Sequence, residues 1–307
     1  LGIKSLSQEE GIREEDETKR KYKCITNIKN AFSNSPFGGF RGLILNTMKN
    51  RIDQLFETKK ENILSVYFTA GFPKLNDTVE IIQELEKNGV DLIEIGIPFS
   101  DPTADGPTIQ HSSEIALKNG MSLERLFRQL KDIRQSVKIP LIFMGYFNPV
   151  MQFGVEKFCE KCSETGIDGT ILPDLPLEEF ENQYKEHFRK NNLHNILLIT
   201  PQTPETRIRQ IDEASGGFIY MVSSASTTGA GKKVEDFHKD YFERIQQMNL
   251  KNPRLIGFGI SDHATFTNAC KYANGAIIGS AFVKELPECN EIQKCVATFV
   301  QNIRTAD

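Results

Sequence analysis

The chain contains no tryptophan, so no indole ring belongs to the protein itself; its rings are 21 phenylalanines and 7 tyrosines. No run approaches the roughly 18 consecutive apolar residues that would cross a bilayer, which excludes a helical membrane span. The first thirty residues are polar and charged and lack the apolar core of a secretory signal, so a cytoplasmic location is expected. Histidine is scarce: His111, His187, His194, His238 and His263 are scattered, none in a ligand-spaced cluster, and no metal is implied. The 6 cysteines are irregularly spaced, which points to a reducing cytosol. Cys159 and Cys162 form a C-x-x-C, but within FGVEKFCEKCSETG, which reads as a helix. With no second pair to complete about four zinc ligands, they read as ordinary helix residues rather than a redox or metal motif. Charge of neither sign dominates: a net charge of -4 and a pI near 5.9 argue against nucleic acid or an anionic membrane as main partner.

What is present fits a soluble globular protein, at 39% hydrophobic and 25% charged residues. A length of 307 residues suits one large α/β barrel or two ordinary domains. Residues 1–47 stand apart. They carry the charge run EEDETKRK and the SPFGGFRG patch without a sustained apolar period, and read as a mostly disordered N-terminal extension. Their acidic residues count against a transit peptide. From Met48 a helical stretch follows, with Ile52, Leu55 and Phe56 on one face.

After that, apolar strand-like runs alternate with amphipathic helices, the rhythm of βα units around a parallel sheet. The expected strands are 63–68, 91–95, 140–145, 169–172, 195–199, 217–222, 254–258 and 276–278. Helices are expected near 77–88, 106–135, 151–165, 177–191, 204–214, 235–250, 262–272 and 289–303. Eight such units in about 260 residues favour a closed (β/α)8 TIM barrel with an N-terminal helix before strand 1, over an open doubly wound sheet. Residues 48–307 are thus expected to be one catalytic domain.

Active sites of such barrels lie at the C-terminal ends of the strands and on the loops that follow. That rule gathers Tyr67 and Thr69 from strand 1, Glu94 from strand 2, and Asp105 from the loop after it. Strand 3 adds Tyr146 and Asn148, strand 4 Asp174, strand 6 Tyr220 and strand 7 Phe258. Strand alternation puts Glu94 on one face with Leu92 and Gly96, opposite Ile93 and Ile95. With the isoleucines against the helices, Glu94 points into the barrel mouth. There desolvation raises its pKa towards the working pH, as a group that gives and takes a proton requires. The competing reading is a buried glutamate bonded to a hydroxyl of a neighbouring strand. For Asp105 the competitor is a helix N-cap, because a helix begins near Gly106 and Pro107. Asp101, just before Pro102, reads as a turn residue.

A second group is glycine-rich: SSASTTGAG (223–231), GFGIS (257–261), and Gly279 with Ser280 at a helix start. Glycine lets backbone N–H groups approach an anion, and the loops after the last strands hold phosphate in many barrels. Each turn alone is ordinary; three on adjacent strands point to a phosphate site. The third group is aromatic. Tyr67, Tyr146, Tyr220 and Phe258 could sandwich a flat apolar ligand, or could simply plug the barrel top.

The motifs IEIGIPFSDPTADGPTIQ, MGYFNPV, PDLPLEE, FIYMVSSASTTG, GFGIS and IIGSAFVK together resemble the tryptophan synthase α subunit family, from Met48 to the end. The resemblance implies a barrel that cleaves indole-3-glycerol phosphate by retro-aldol chemistry into indole and glyceraldehyde 3-phosphate. It implies a β subunit partner in an α2β2 complex, no cofactor in this subunit, and pyridoxal phosphate in the partner. By the family's pattern, Glu94 serves as acid/base at indole C3 and at the side-chain hydroxyl, and Asp105 accepts the ring N–H. Tyr67, Tyr146, Tyr220 and Phe258 line the indole pocket, while Gly229, Gly259, Gly279 and Ser280 hold the phosphate. Thr228 bonds the aspartate when the loop closes. One departure stands out: the family's SRSGVTG is SSASTTG here, with Ser224 at the Arg position and Ser226 at the Gly position. Two alternatives compete with this reading. Another phosphate-binding barrel enzyme of tryptophan biosynthesis, such as the synthase, would show catalytic lysines where this chain has Glu and Asp. A non-catalytic activating subunit would not need both carboxylates.

Overall fold

A computed structural model describes residues 49–223 and 235–306; the expected extension at 1–47 lies outside them. Eight strands form the barrel: β1 (Ile63–Thr69), β2 (Leu92–Gly96), β3 (Leu141–Met144), β4 (Gly169–Ile171), β5 (His194–Ile199), β6 (Ile219–Val222), β7 (Arg254–Gly257) and β8 (Gly275–Ile278). All are parallel, in sequence order, and β8 pairs back onto β1. The closed (β/α)8 barrel is as expected, with strand ends moved by only one or two residues.

The helices differ more. The stretch expected at 106–135 breaks into Pro107–Lys118 and Leu123–Gln129, because Gly120 turns the chain at φ 85° and Ser122 caps the second helix. Gly154, at φ 92°, likewise divides Phe147–Phe153 from Val155–Thr165. The segment 177–191 carries a π-helical insert at Phe180–Tyr184. A short helix, Ser280–Glu285, precedes the final helix Ile292–Arg304.

Two apolar layers hold the barrel. Ile93 and Ile95 pack outward against the helices, whereas Leu92, Ile142, Ile171, Ile196, Leu255 and Ile277 fill the interior. Each such buried side chain contributes about 1.5–3 kcal/mol. The N-terminal helix Arg51–Thr58 closes the bottom. Asn50 caps it by accepting from the Ile52 amide at 2.9 Å, and Ile52 and Phe56 enter the interior core. The Phe56 ring lies 5.7 Å from Phe218. On the same face, buried Asp168 accepts from Arg51 at 2.8 Å, from Arg134, and from the Leu141 amide at 2.9 Å.

Cys159 and Cys162 are buried in helix Val155–Thr165, as their helical reading required, and burial pushes the Cys159 thiol up to about 12 and the Cys162 thiol well above its usual range. A pairing not foreseen in the sequence joins Cys289 to Cys295 as a disulfide. The turn between Leu286–Glu288 and Ile292–Arg304 brings their Cα atoms to 5.7 Å, within the reach of a disulfide. Among the described residues, no helix is long and apolar enough to cross a membrane.

Candidate active site

The cleft at the C-terminal mouth of the barrel has two lobes, with cavities of about 310 and 230 Å³, that share Tyr67, Asp105, Met144 and Phe258 in their walls. Parallel pairing sets their floor: Tyr67 on β1 sits opposite Glu94 on β2, and Val222 on β6 opposite Gly257 on β7. A Cβ on Gly96 would overlap the Tyr67 hydroxyl, and one on Gly257 would overlap the Tyr220 hydroxyl. The missing side chains therefore make room for two phenols at the mouth.

Glu94 is fully buried and lines the smaller lobe. Its Oε1 accepts from the Ser65 hydroxyl at 2.8 Å; Oε2 has no hydrogen-bond partner. Burial lifts the carboxyl to about 8, with the Ser65 bond pulling the other way. One oxygen thus meets a neighbouring strand's hydroxyl, as the competing reading of Glu94 expected, and the other is left unbonded. Asp105 lines both lobes. It is not the cap of helix Pro107–Lys118, whose N-cap is Gly106. Its carboxylate instead accepts from Tyr146 at 3.0 Å. Burial raises the Asp105 carboxyl, and the Tyr146 bond offsets part of that. Asp101 bonds to its neighbour Ser100 on the exposed part of the loop, consistent with a turn residue.

The ring residues converge as expected. Tyr67 and Phe258 border both lobes, Tyr146 the larger and Tyr220 the smaller. Burial, followed by nearby carboxylate charge, pushes the Tyr67, Tyr146 and Tyr220 phenols upward, so they can donate hydrogen bonds but not serve as bases. Phe258 takes a left-handed backbone at φ 70°, followed by Gly259 at φ 76°. For a bulky residue this costs about 1–3 kcal/mol, and the Ser223 hydroxyl steadies it by donating to the Phe258 carbonyl at 2.6 Å.

Gly259, Gly279 and Ser280 border the smaller lobe beside Glu94. Thr228 and Gly229, together with the departures Ser224 and Ser226, lie outside the described residues. Three residues placed at strand ends do not border the cleft. Thr69 is buried and bonded to Ser112 at 2.6 Å. Asn148 accepts from Gln152 along its own helix. Asp174 accepts from the Phe147 amide at 2.8 Å, holding the start of helix Phe147–Phe153. Others were missed. Phe99, within the IEIGIPFSDPTADGPTIQ motif, stacks 5.1 Å from Tyr146. Lys284 borders the glycine-walled lobe, one helical turn after Ser280. Among the described residues, no three His, Cys, Asp or Glu side chains converge as a metal-ligand set.

A family model described as "Tryptophan synthase alpha chain" matches residues 54–307. The chain belongs to the tryptophan synthase alpha chain family. Its relatives include the tryptophan synthase alpha chain of Flavobacterium psychrophilum, 62% identical over 254 residues, covering 83% of this chain and 99% of that one. That of Bacteroides fragilis is 55% identical over 247 residues, covering 80% and 94%. Among solved structures, tryptophan synthase subunit alpha from Legionella pneumophila superposes with a TM-score of 0.75 at 31% identity, covering 83% of this chain and 97% of that one. The tryptophan synthase complex from Pyrococcus furiosus gives a TM-score of 0.72 at 32% identity, with 80% and 99% covered. As a tryptophan synthase alpha chain family member, the barrel presents two proton-affine carboxylates, a ring-lined slot and glycine turns at one mouth.

Proposed function

We propose that this chain is a lyase that cleaves indole-3-glycerol phosphate into indole and glyceraldehyde 3-phosphate. The carrying observation is that Glu94 and Asp105 border one lobe with Gly259, Gly279 and Ser280. Glu94, protonated at neutral pH, gives its proton to indole C3. Asp105 accepts the ring N–H and offsets the positive charge that develops there. The bond from C3 to the glyceryl carbon then breaks, its electron pair remaining on the indole ring. Glu94 takes the proton of the adjacent hydroxyl, whose carbon becomes the aldehyde, and the acid is regenerated. Tyr67, Tyr146, Tyr220 and Phe258 enclose the ring; Gly229, Gly259, Gly279 and Ser280 hold the phosphate, and Thr228 bonds Asp105 when the loop closes.

The reaction needs no cofactor in this chain. The partner is a tryptophan synthase β subunit, in an α2β2 complex, with pyridoxal phosphate in that subunit; solved complexes of the family support the pairing. Residues 48–307 would be the catalytic unit, and the match over 54–307 supports that boundary. A cytoplasmic location is supported by the free thiols of Cys159, Cys162 and Cys270, while the Cys289–Cys295 disulfide weighs against it. The test is to incubate the purified chain with indole-3-glycerol phosphate, alone and with a β subunit, and assay both products. Absence of indole and glyceraldehyde 3-phosphate in both would reject the reading.

A further inference from the structure

Glu94 has one bonded and one unbonded oxygen, and the source of that asymmetry is a residue of the neighbouring strand. Ser65 lies on β1, fully buried, and donates to Glu94 Oε1 at 2.8 Å. Around it the interior is apolar, built from Ile63, Leu92, Ile142 and Ile277. Oε2 has no partner at all. A carboxyl held through one oxygen keeps a defined rotamer, and the proton of the neutral acid then belongs on the other oxygen, because Oε1 is occupied as an acceptor.

We propose that Ser65 is a positioning residue for Glu94: by donating to Oε1 it fixes the carboxyl and leaves Oε2 as the oxygen that delivers and recovers the proton. This rests on the lyase reading above. The titratable groups around Glu94 are Tyr67 on β1 and Tyr220 on β6, whose phenols its charge pushes up, with Asp105 and Lys284 bordering the same lobe and apolar Ile142 opposite on β3. Both tyrosines stay neutral through the working range, so Ser65 is the group that bonds directly to the carboxylate.

A donor to the charged form lowers a carboxyl pKa, and its removal raises it. The Glu94 carboxyl lies at about 8, so the acid is lost, and kcat/KM falls, as pH rises through that value. In Ser65→Ala the basic limb of the kcat/KM profile moves up by about one pH unit, consistent with loss of a hydrogen bond to a charged group. At the same time kcat drops about tenfold because the carboxyl is no longer oriented. Ser65→Thr keeps the donor and restores both.

The decisive reading does not use the reaction. Carbon NMR of labelled glutamate carboxyls, with Glu94→Gln to identify the signal, gives the Glu94 pKa in the ligand-free protein. A higher value in Ser65→Ala that returns towards wild type in Ser65→Thr supports the assignment. An unchanged value, with an unchanged basic limb, overturns it. A wild type that releases no indole would instead overturn the lyase reading, with the titration still deciding the Ser65–Glu94 coupling.

Discussion

Tyr146 donates to Asp105 at 3.0 Å while its own oxygen accepts from the Ala104 amide at 2.9 Å. One phenol from the end of β3 thus latches the loop after β2 and orients its carboxylate. The Tyr146 bond favours the charged form of Asp105 against a burial that opposes it.

Tyr146→Phe removes the latch. The expected loss in kcat/KM is about 10- to 100-fold, the equivalent of a hydrogen bond to a charged group. In the proposed cleavage Asp105 acts ionised, so activity is expected to disappear as pH falls through its folded pKa. Without the Tyr146 bond that pKa rises, and the acid limb of the profile moves to higher pH. A pH profile of the variant checks the direction; a limb that stays in place contradicts it.

Burial of Glu94 also has a consequence for stability. Its folded pKa, about 8, lies above the ordinary 4.5, so folding takes up a proton between those values. The contribution is fully present below about 4.5 and is lost as pH rises through 8. In that window the wild type should lose stability relative to Glu94→Gln by on the order of 1 kcal/mol per pH unit. Urea unfolding of both proteins at several pH values measures the difference. Parallel curves would show that the carboxyl is not desolvated.

Gly96 has no side chain where the Tyr67 hydroxyl lies. Gly96→Ala is expected to push the phenol into the cleft, cost about 1–3 kcal/mol in stability, and raise KM more than it lowers kcat. Tyr67→Phe in the same chain removes the overlapping oxygen and should recover part of both. Steady-state kinetics and thermal melts of the single and double variants test this.

At the opposite face, Asp168 joins Arg51 and Arg134. Burial holds the Arg134 guanidinium down to about 10, although Asp168 pulls it up. Asp168→Asn removes the carboxylate bonded to that cation and is expected to cost about 3–5 kcal/mol. The bottom face of a barrel serves stability rather than chemistry, so kcat/KM of the folded variant should change little. Denaturant titration alongside kinetics separates the two effects.

The barrel was legible because its signals are local. The alternation of Leu92, Ile93, Glu94 and Ile95 orients the glutamate without any knowledge of its neighbours, and the apolar runs at 63–68 and 254–258 fall almost residue for residue on β1 and β7. What could not be read depends on contacts made after closure. Tyr146 and Asp105 are 41 positions apart, and Ser65 and Glu94 are 29 apart. A hydroxyl partner for Glu94 on a neighbouring strand was foreseen, but a serine in an apolar strand gives no sign that it is the one. Asp174 and Asn148 show the limit of the strand-end rule: a position near the mouth does not decide whether a side chain enters the cleft or satisfies a nearby helix. Gly259 after β7 was legible as part of a turn, but Phe258 sharing its left-handed backbone was not. The Cys289–Cys295 pair was hidden for a related reason, since the turn between the short Leu286–Glu288 piece and the final helix Ile292–Arg304, not the spacing, brings the sulfurs together.

The proposed cleavage needs two carboxylates with divided roles. Its most direct test is the rate of indole release from indole-3-glycerol phosphate by wild type, Glu94→Gln and Asp105→Asn, each shown to be folded. Loss of either acid/base group should lower the rate by at least ~100-fold, with little change in substrate affinity. Normal turnover in both variants would contradict it.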